Sequence, residues 1–368
     1  MKEHKFFIPG RVNLIGEHID YNGGYVLPYT LEMGTHATIK TRDDGLYRFA
    51  SVNKPDLVVQ ISADKVVYDP AYGWANYPMG VLRLMLDDGH NIPGFEIIFN
   101  GTIPNGTGLS SSASIEVVTA QALNETFGLG YTMLQLVQLA QRAENQFCGV
   151  NCGIMDQFSV GMGQPGHAIY LNCDTLEHQH VPMQLGNYTL LVMNTNKPRA
   201  LADSKYNERR AECDTALATI NEALTNNMTN ITTQPLTHLA HLSPADFADL
   251  AHHIKDKTIR QRAHHVVHEN ERVKQAVSAL QSGNIKKLGI LLVASHESLR
   301  DDYEVTGIEL DALVAVSLRH PACAGARMTG AGFGGCAIAL VETNAVADFT
   351  QAVITGYEQA IGYAPTVY

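Results

Sequence analysis

A glycine- and serine-rich segment in the first third of the chain is the feature that most restricts the fold. Between Gly106 and Ser112 the sequence carries two glycines and three serines, and a helical pattern of apolar residues begins at Ser110. Glycines let a backbone approach a ligand closely, their amides can point at an anion, and a helix N-terminus adds partial positive charge. The segment predicts either a phosphate-binding turn before a helix or an ordinary serine-capped helix.

The same segment disfavours two large classes of nucleotide-binding protein. No Gly-Lys-Ser or Gly-Lys-Thr follows the glycines, as a P-loop requires, and the glycine spacing differs from the dinucleotide-binding fingerprint. A P-loop NTPase and a Rossmann oxidoreductase are therefore poor interpretations.

Length and charge narrow the class of protein further. A chain of 368 residues predicts two domains or one large α/β unit, and 45% apolar with 17% charged residues is typical of a globular protein. The net charge of −11 disfavours nucleic acid and anionic membranes as partners. No apolar run is long enough to span a bilayer, no signal-peptide core is present, and six scattered cysteines do not make a disulfide framework. We expect a cytoplasmic protein.

Strand and helix patterns are mixed along the chain without a strict alternation, which indicates an α+β fold. Up to about Gly101 the pattern is mostly of short strands, with one helix near Ala75 to Leu86. Two helices are predicted after the glycine-rich segment, from Ser110 to Phe127 and from Met133 to Phe147. The second half is richer in helices, and we place the domains at 1–185 and 186–368.

Two further segments combine glycines with unusual polar content. The first, Pro9 to Gly24, contains Arg11, Glu17, His18 and Asp20, which suit either a cage for a polyhydroxylated ligand or a solvated loop with a salt bridge. The second, Met328 to Cys336, has four glycines within six positions and predicts either a close backbone contact or a tight turn between core strands.

Taken together, the three segments resemble the signature motifs of the GHMP small-molecule kinases. The segment from Pro9 to Gly24 is similar to the motif of the galactokinase family in particular. The resemblance extends over nearly the whole chain, including Gly149 to Phe158 and Ser204 to Arg210. It implies a two-lobed GHMP-kinase fold with the active site between the lobes. It also implies transfer of the γ-phosphoryl group of ATP to the anomeric hydroxyl of galactose, with Mg²⁺.

The resemblance assigns roles to individual residues. Asp156 matches the catalytic base and Arg11 the arginine that pairs with it, and the sugar-binding residues are matched by Glu17, His18, Asp20 and Tyr206. The ATP site is matched by Ser51, Gly106, Thr107, Gly108, Leu109, Ser110, Ser111 and Ser112. Ser112 and Glu144 match the Mg²⁺ ligands, and an antiparallel pair of helices would bring these two residues together.

We expect a monomer. Two other functions remain open at this point. The same chemistry on an N-acetylated amino sugar would need room beside the second hydroxyl. A non-catalytic sugar sensor of the same fold lacks part of the serine–alanine run, which is intact here from Ser110 to Ser114. His264, His265 and His268 could suggest a metal site, but without an obvious third ligand we interpret them as solvated helix surface.

Overall fold

The structure is a computed structural model that describes residues 3–104, 106–197, 202–226 and 235–368. Within these ranges the chain forms two compact units. The first comprises Met1–Arg11, Thr30–Asn105 and Leu109–Pro165, and the second comprises Val12–Tyr29, Gly106–Gly108 and Gly166–Tyr368. Each unit is assembled from separate stretches of chain, and the predicted division between residues 185 and 186 stays a prediction.

Helices and strands are mixed, which confirms the α+β class. The strands are β1 (Glu3–Asn13), β2 (Tyr25–Val26), β3 (Pro28–Thr41), β4 (Tyr47–Ser51), β5 (Val59–Ile61), β6 (Phe95–Gly101), β7 (His167–Asn172), β8 (His178–Pro182), β9 (Tyr188–Asn194), β10 (Cys323–Thr329), β11 (Cys336–Glu342) and β12 (Thr366–Val367). The helices are α1 (Asn76–Asp87), α2 (Ser111–Phe127), α3 (Met133–Gln146), α4 (Met155–Met162), α5 (Ala202–Thr225), α6 (Pro244–Leu250), α7 (Lys257–Gln281), α8 (Ile285–Asp301), α9 (Gly307–Arg319) and α10 (Val346–Ile361).

Strand β6 is central among the strands of the first unit. It pairs with β3 in the antiparallel direction and with β4 in the parallel direction, and β4 pairs with β5. Phe95, Ile97 and Phe99 of β6 are buried, which is the two-residue period of a strand with one face in a core. Helices α1 to α4 pack against one another and contribute to the same hydrophobic core. The three- and four-residue spacing of their apolar residues is explained by this core.

Helix α2 begins one residue later than its apolar pattern predicts. Ser110 has a left-handed backbone, with φ 61° and ψ 44°, so the first helical residue is Ser111. The helix ends at Phe127, where Gly128 is also left-handed. Helix α3 then begins after a capping box formed by Thr132 and Gln135. These local signals fix the ends of the two helices that carry candidate site residues.

A four-stranded antiparallel sheet with the strand order β10-β11-β9-β12 lies in the second unit. Strands β10 and β11 are paired from Thr329 and Cys336 outward, so the glycine cluster is the turn between them. Helix α8 packs on β10, and a Cβ atom at Gly289 would lie 2.0 Å from the carbonyl oxygen of Ala324. Glycine is required at this crossing because any side chain would overlap the strand.

Three features differ from the expectations. Helix α4 was not predicted because its two turns are too short for a periodic pattern, and β8 was not predicted because its sequence is mostly polar. The interpretation of three solvated histidines is wrong for His265, which is completely buried on α7, while His264 is exposed. Among the described residues, no helix combines the length and apolar character needed to cross a membrane.

Candidate active site

An arginine–aspartate pair lies at the start of α4. Arg11 Nε donates to Asp156 Oδ1 over 3.0 Å, and Arg11 Nη2 lies 2.7 Å from both carboxylate oxygens. The arginine side chain is only 3% exposed, whereas that of the aspartate is 30% exposed. A fixed guanidinium thus holds a carboxylate that is still open to a reactant, which is the arrangement a general base needs. The predicted pairing is present, and the catalytic roles stay predictions.

The glycine-rich turn has the backbone of an anion-binding loop. Gly106 and Gly108 both have φ 73° and Ser110 has φ 61°, whereas Thr107 and Leu109 between them have no positive φ. Alternation of this kind turns successive amides towards one side. The Ser110 hydroxyl is buried and has no hydrogen-bond partner among the described residues. A buried hydroxyl without a hydrogen-bond partner costs free energy, so the turn fits a ligand with acceptor oxygens such as a phosphate.

Ser51, the other residue assigned to the nucleotide, lies at the end of β4 and is half-buried. Its hydroxyl accepts a hydrogen bond from the backbone amide of Asn53 over 3.2 Å. Asn53 in turn binds both backbone groups of Gly101. These contacts stabilise a turn, and the assignment of Ser51 to the nucleotide stays a prediction.

The predicted metal ligands lie together on two packed helices. Ser112 is the second residue of α2, Glu144 is in the last turn of α3, and the Ser112 side chain hydrogen-bonds to the Glu144 carboxylate. Burial, followed by the charge of Asp156, raises the pKa of Glu144 to about 7. A carboxylate and a hydroxyl are the oxygen donors that Mg²⁺ prefers, and a cation would offset the negative charge gathered here. The residues present therefore fit a magnesium ion.

Two residues missed by the sequence reasoning complete this cluster. Gln157 Nε2 lies 2.5 Å from Glu144 Oε2 and 3.1 Å from Glu116 Oε2, so one side-chain amide bridges two carboxyl groups. Glu116 is fully buried, and burial together with the nearby Glu144 raises its pKa well above its usual range. A signal was available, because Glu116 follows Ser112 by one helical turn and Gln157 directly follows Asp156.

The predicted sugar-binding segment lies in the second unit, where its glutamate is held by the late glycine loop. Glu17 Oε1 accepts a hydrogen bond from the Gly330 amide over 2.7 Å, and Oε2 accepts one from Asn13 Nδ2 over 2.8 Å. The fully buried Arg327 lies 3.6 Å from Oε1 and balances the charge. The glycine loop thus contacts this segment through its backbone, and the carboxylate is fixed in one orientation.

His18 is held by a chain of hydrogen bonds whose direction can be worked out. Its Nε2 lies 3.1 Å from the carbonyl oxygen of Ala331, which can only accept, so Nε2 carries the proton. Burial lowers the pKa of His18 to about 3, so the ring is neutral and Nδ1 accepts from the Tyr21 hydroxyl at 2.9 Å. Tyr21 must then accept from Tyr303, and Tyr303 from the Cys213 thiol. One ordered chain therefore fixes the imidazole.

The structure places the remaining sugar-binding candidates near this histidine or on the same loop. Tyr206 of α5 has its ring 5.4 Å from that of His18 and 5.3 Å from that of Tyr21. Asp20 begins a short 3-10 turn and is buried, with 8% exposure. Within the second unit the four candidates thus lie on one loop and one adjoining helix, and their role in sugar binding stays a prediction.

Comparison with known proteins identifies the class first. The family model for the N-terminal domain of GHMP kinases matches residues 76–164, and the model for their C-terminal domain matches residues 276–358. The crystal structure of mevalonate kinase from Methanococcus jannaschii covers 100% of the chain with a TM-score of 0.67 at 17% identity, a likeness of fold alone. The fold and these matches define a GHMP kinase.

More specific matches identify the family within that class. The galactokinase galactose-binding signature matches residues 2–41. The chain is 50% identical to a galactokinase of Clostridium tetani over 99% of this chain and 90% of the relative, and 47% identical to one of Exiguobacterium sibiricum over 99% and 91%. A crystal structure of Lactococcus lactis galactokinase complexed with galactose has a TM-score of 0.94 at 45% identity and covers 100% of this chain and 92% of that one. The chain belongs to the galactokinase family.

Proposed function

We propose that this protein catalyses the ATP-dependent phosphorylation of α-D-galactose at the anomeric hydroxyl, giving galactose 1-phosphate and ADP. The observation that carries the proposal is the Arg11–Asp156 pair, a partly open carboxylate held by a buried guanidinium. Support comes from the signature over residues 2–41 and from the Lactococcus lactis relative, which was solved with galactose.

The chemistry of the proposed step is an in-line phosphoryl transfer. Asp156 accepts the proton of the anomeric hydroxyl while that oxygen forms a bond to the γ-phosphorus of ATP. The bond from this phosphorus to the bridging oxygen breaks, and ADP leaves with the electron pair. Arg11 orients the carboxylate and stabilises the charge that develops on the transferred group. Glu17, His18, Asp20 and Tyr206 hold the sugar ring in place.

The phosphates of ATP are assigned to the turn from Gly106 to Ser112 because positive φ values alternate along it, a pattern that favours amides on one side, and the Ser110 hydroxyl is unsatisfied within the described residues. We also place Ser51 near the nucleotide. Magnesium held by Ser112 and Glu144 would neutralise negative charge on the phosphates. The proposal is for a cytoplasmic monomer whose partners are these small molecules.

An ADP-release assay on a panel of sugars tests the proposal. We expect turnover with galactose and much lower turnover with glucose, because a wrong epimer leaves a buried polar group without its partner. Turnover of arabinose should also be much lower, because this pentose lacks the hydroxymethyl group and its contacts. Faster turnover with N-acetylgalactosamine than with galactose would assign a different sugar kinase. No ADP release with any sugar, together with binding of galactose, would indicate a sensor instead of an enzyme.

A further inference from the structure

Two buried side chains of α7 hold the backbone on both sides of Glu17. His265 Nε2 lies 3.1 Å from the carbonyl oxygen of Glu17, and Glu269 Oε1 accepts a hydrogen bond from the Gly16 amide over 2.9 Å. Both side chains have 0% exposure. They are four residues apart on the helix and therefore lie on the same face, one turn from each other.

The backbone of this turn is strained at one residue. Gly16 has φ 105°, which a glycine adopts readily, whereas His18 has φ 62°, in the left-handed region that costs a non-glycine residue on the order of 1 kcal/mol. A Cβ atom at Gly16 would lie 2.8 Å from the carbonyl oxygen of Tyr25, so the turn is also tightly enclosed. A conformation of this kind persists only where the surrounding structure imposes it.

The protonation state of His265 suits it to donate a hydrogen bond to the Glu17 carbonyl. The carbonyl oxygen of Glu17 only accepts, so Nε2 must carry the proton. Burial lowers the pKa of His265 to about 4, so the ring is neutral near pH 7 and Nδ1 is an acceptor. The Ser298 hydroxyl lies 2.9 Å from Nδ1 and donates its one proton to Asp302 Oδ2 over 3.0 Å. The tautomer is therefore set by the Glu17 carbonyl, and Ser298 contacts the other side of the ring.

Glu269 is equally constrained. Its Oε1 also accepts from the Ser295 hydroxyl over 2.5 Å, and its Oε2 accepts from Arg272 Nε over 2.6 Å. Burial opposes the charge, but Arg272, His265, Arg327 and the Ser295 hydrogen bond together more than compensate, and the pKa of Glu269 falls to about 2. The helix therefore presents one fixed donor and one fixed acceptor to the Gly16–Glu17 backbone.

We propose that His265 is a positioning residue for sugar recognition. By binding the carbonyl of Glu17, and with Glu269 binding the amide of Gly16, it sets the turn that presents the side chains of Glu17 and His18 to the sugar. This inference rests on the proposed function. It assigns part of the sugar affinity to a helix side chain that contacts the backbone of the segment and not the sugar.

A pair of amide variants tests the proposal. In His265→Gln the amide nitrogen can take the place of Nε2, whereas in His265→Asn the side chain is one methylene shorter and cannot reach the Glu17 oxygen. We expect His265→Asn to raise the KM and the Kd for galactose by about tenfold, the value of one buried hydrogen bond. We expect His265→Gln to recover most of the affinity, and the KM for ATP to be unchanged in both. His252→Asn is the matched control, because His252 is an exposed histidine in the short turn before α7, and this variant should behave as the wild type.

Turnover is measured by ADP release, galactose binding by titration calorimetry and folding by thermal denaturation. A folded His265→Asn variant with wild-type affinity for galactose would overturn the positioning role. So would equal losses of affinity and thermal stability in both variants, since a purely structural histidine predicts no recovery by glutamine. Wild-type turnover of galactose is measured first, and its absence would overturn the proposed function itself.

Discussion

Replacement of Asp156 by asparagine should separate sugar binding from phosphoryl transfer. Asparagine keeps an oxygen in the place of Oδ1, which receives two of the three contacts from Arg11. Its NH2 group takes the place of Oδ2, where it faces Arg11 Nη2 at 2.7 Å, and two donors cannot hydrogen-bond to each other. One contact in three is therefore lost, and because the carboxylate is partly exposed we expect the free energy of unfolding to fall by only about 1–3 kcal/mol.

The effect on turnover should be far larger, because an amide cannot accept the proton. We expect kcat to fall by a factor of about 100 to 10,000, the usual contribution of a general base, with the Kd for galactose nearly unchanged. ADP release measures kcat, titration calorimetry measures Kd, and urea unfolding measures stability.

The matched control is Asp44→Asn, because Arg42 donates to Asp44 through Nε at 3.0 Å on the exposed surface. This control should leave kcat unchanged. A kcat for Asp156→Asn within about tenfold of the wild type would refute the assignment of the base.

Three further predictions concern acid stability, packing and the metal. Burial lowers the pKa values of His18 and His265 to about 3 and about 4. Below about pH 6.5 the unfolded chain protonates these histidines while the folded chain does not, so acid favours unfolding. Urea unfolding should show stability falling from there toward pH 4 by about 1.4 kcal/mol per pH unit for each histidine, with a shallower slope in His265→Gln. Gly289→Ala should lower the free energy of unfolding by about 1–3 kcal/mol in thermal denaturation, because its methyl group meets the carbonyl of Ala324, and an unchanged melting temperature would contradict that contact. Glu144→Gln should raise the Mg²⁺ concentration for half-maximal rate at least about tenfold while galactose binding is retained, and an unaltered Mg²⁺ requirement would remove this residue from the metal site.

Local sequence signals predicted most of the secondary structure. The apolar spacing of α3 and the alternation in β6 are each set by a single buried face, so a short window contains the necessary information, whereas α2 is buried on all sides from Glu116 to Ala120. Helix α4 was missed because eight residues hold about two turns, and it forms through packing against α2 and α3. The left-handed backbone of Ser110 was also not predictable, since serine rarely adopts it outside a structure that imposes it.

The site residues that lie in a family motif were predictable from the sequence. Those whose role depends on tertiary packing were not. The pairing of Arg11 with Asp156 spans 145 positions and came only from the resemblance. His265 carries no signal in the sequence, since a histidine on a helix is usually exposed, and Glu116 and Gln157 are marked only by their positions one helical turn after Ser112 and directly after Asp156. Their importance follows from complete burial, which depends on contacts between helices and loops that are distant in the chain.

The neighbouring side chains of Asp156 and Gln157 restrict rotation of α4 about its own axis. One is tied to β1 through Arg11 and the other to α2 and α3 through two acidic groups. A twist of α4 about its own axis would have to break both attachments at once. Substitutions that loosen the amide should therefore disturb the aim of the aspartate even though they leave its own ion pair untouched.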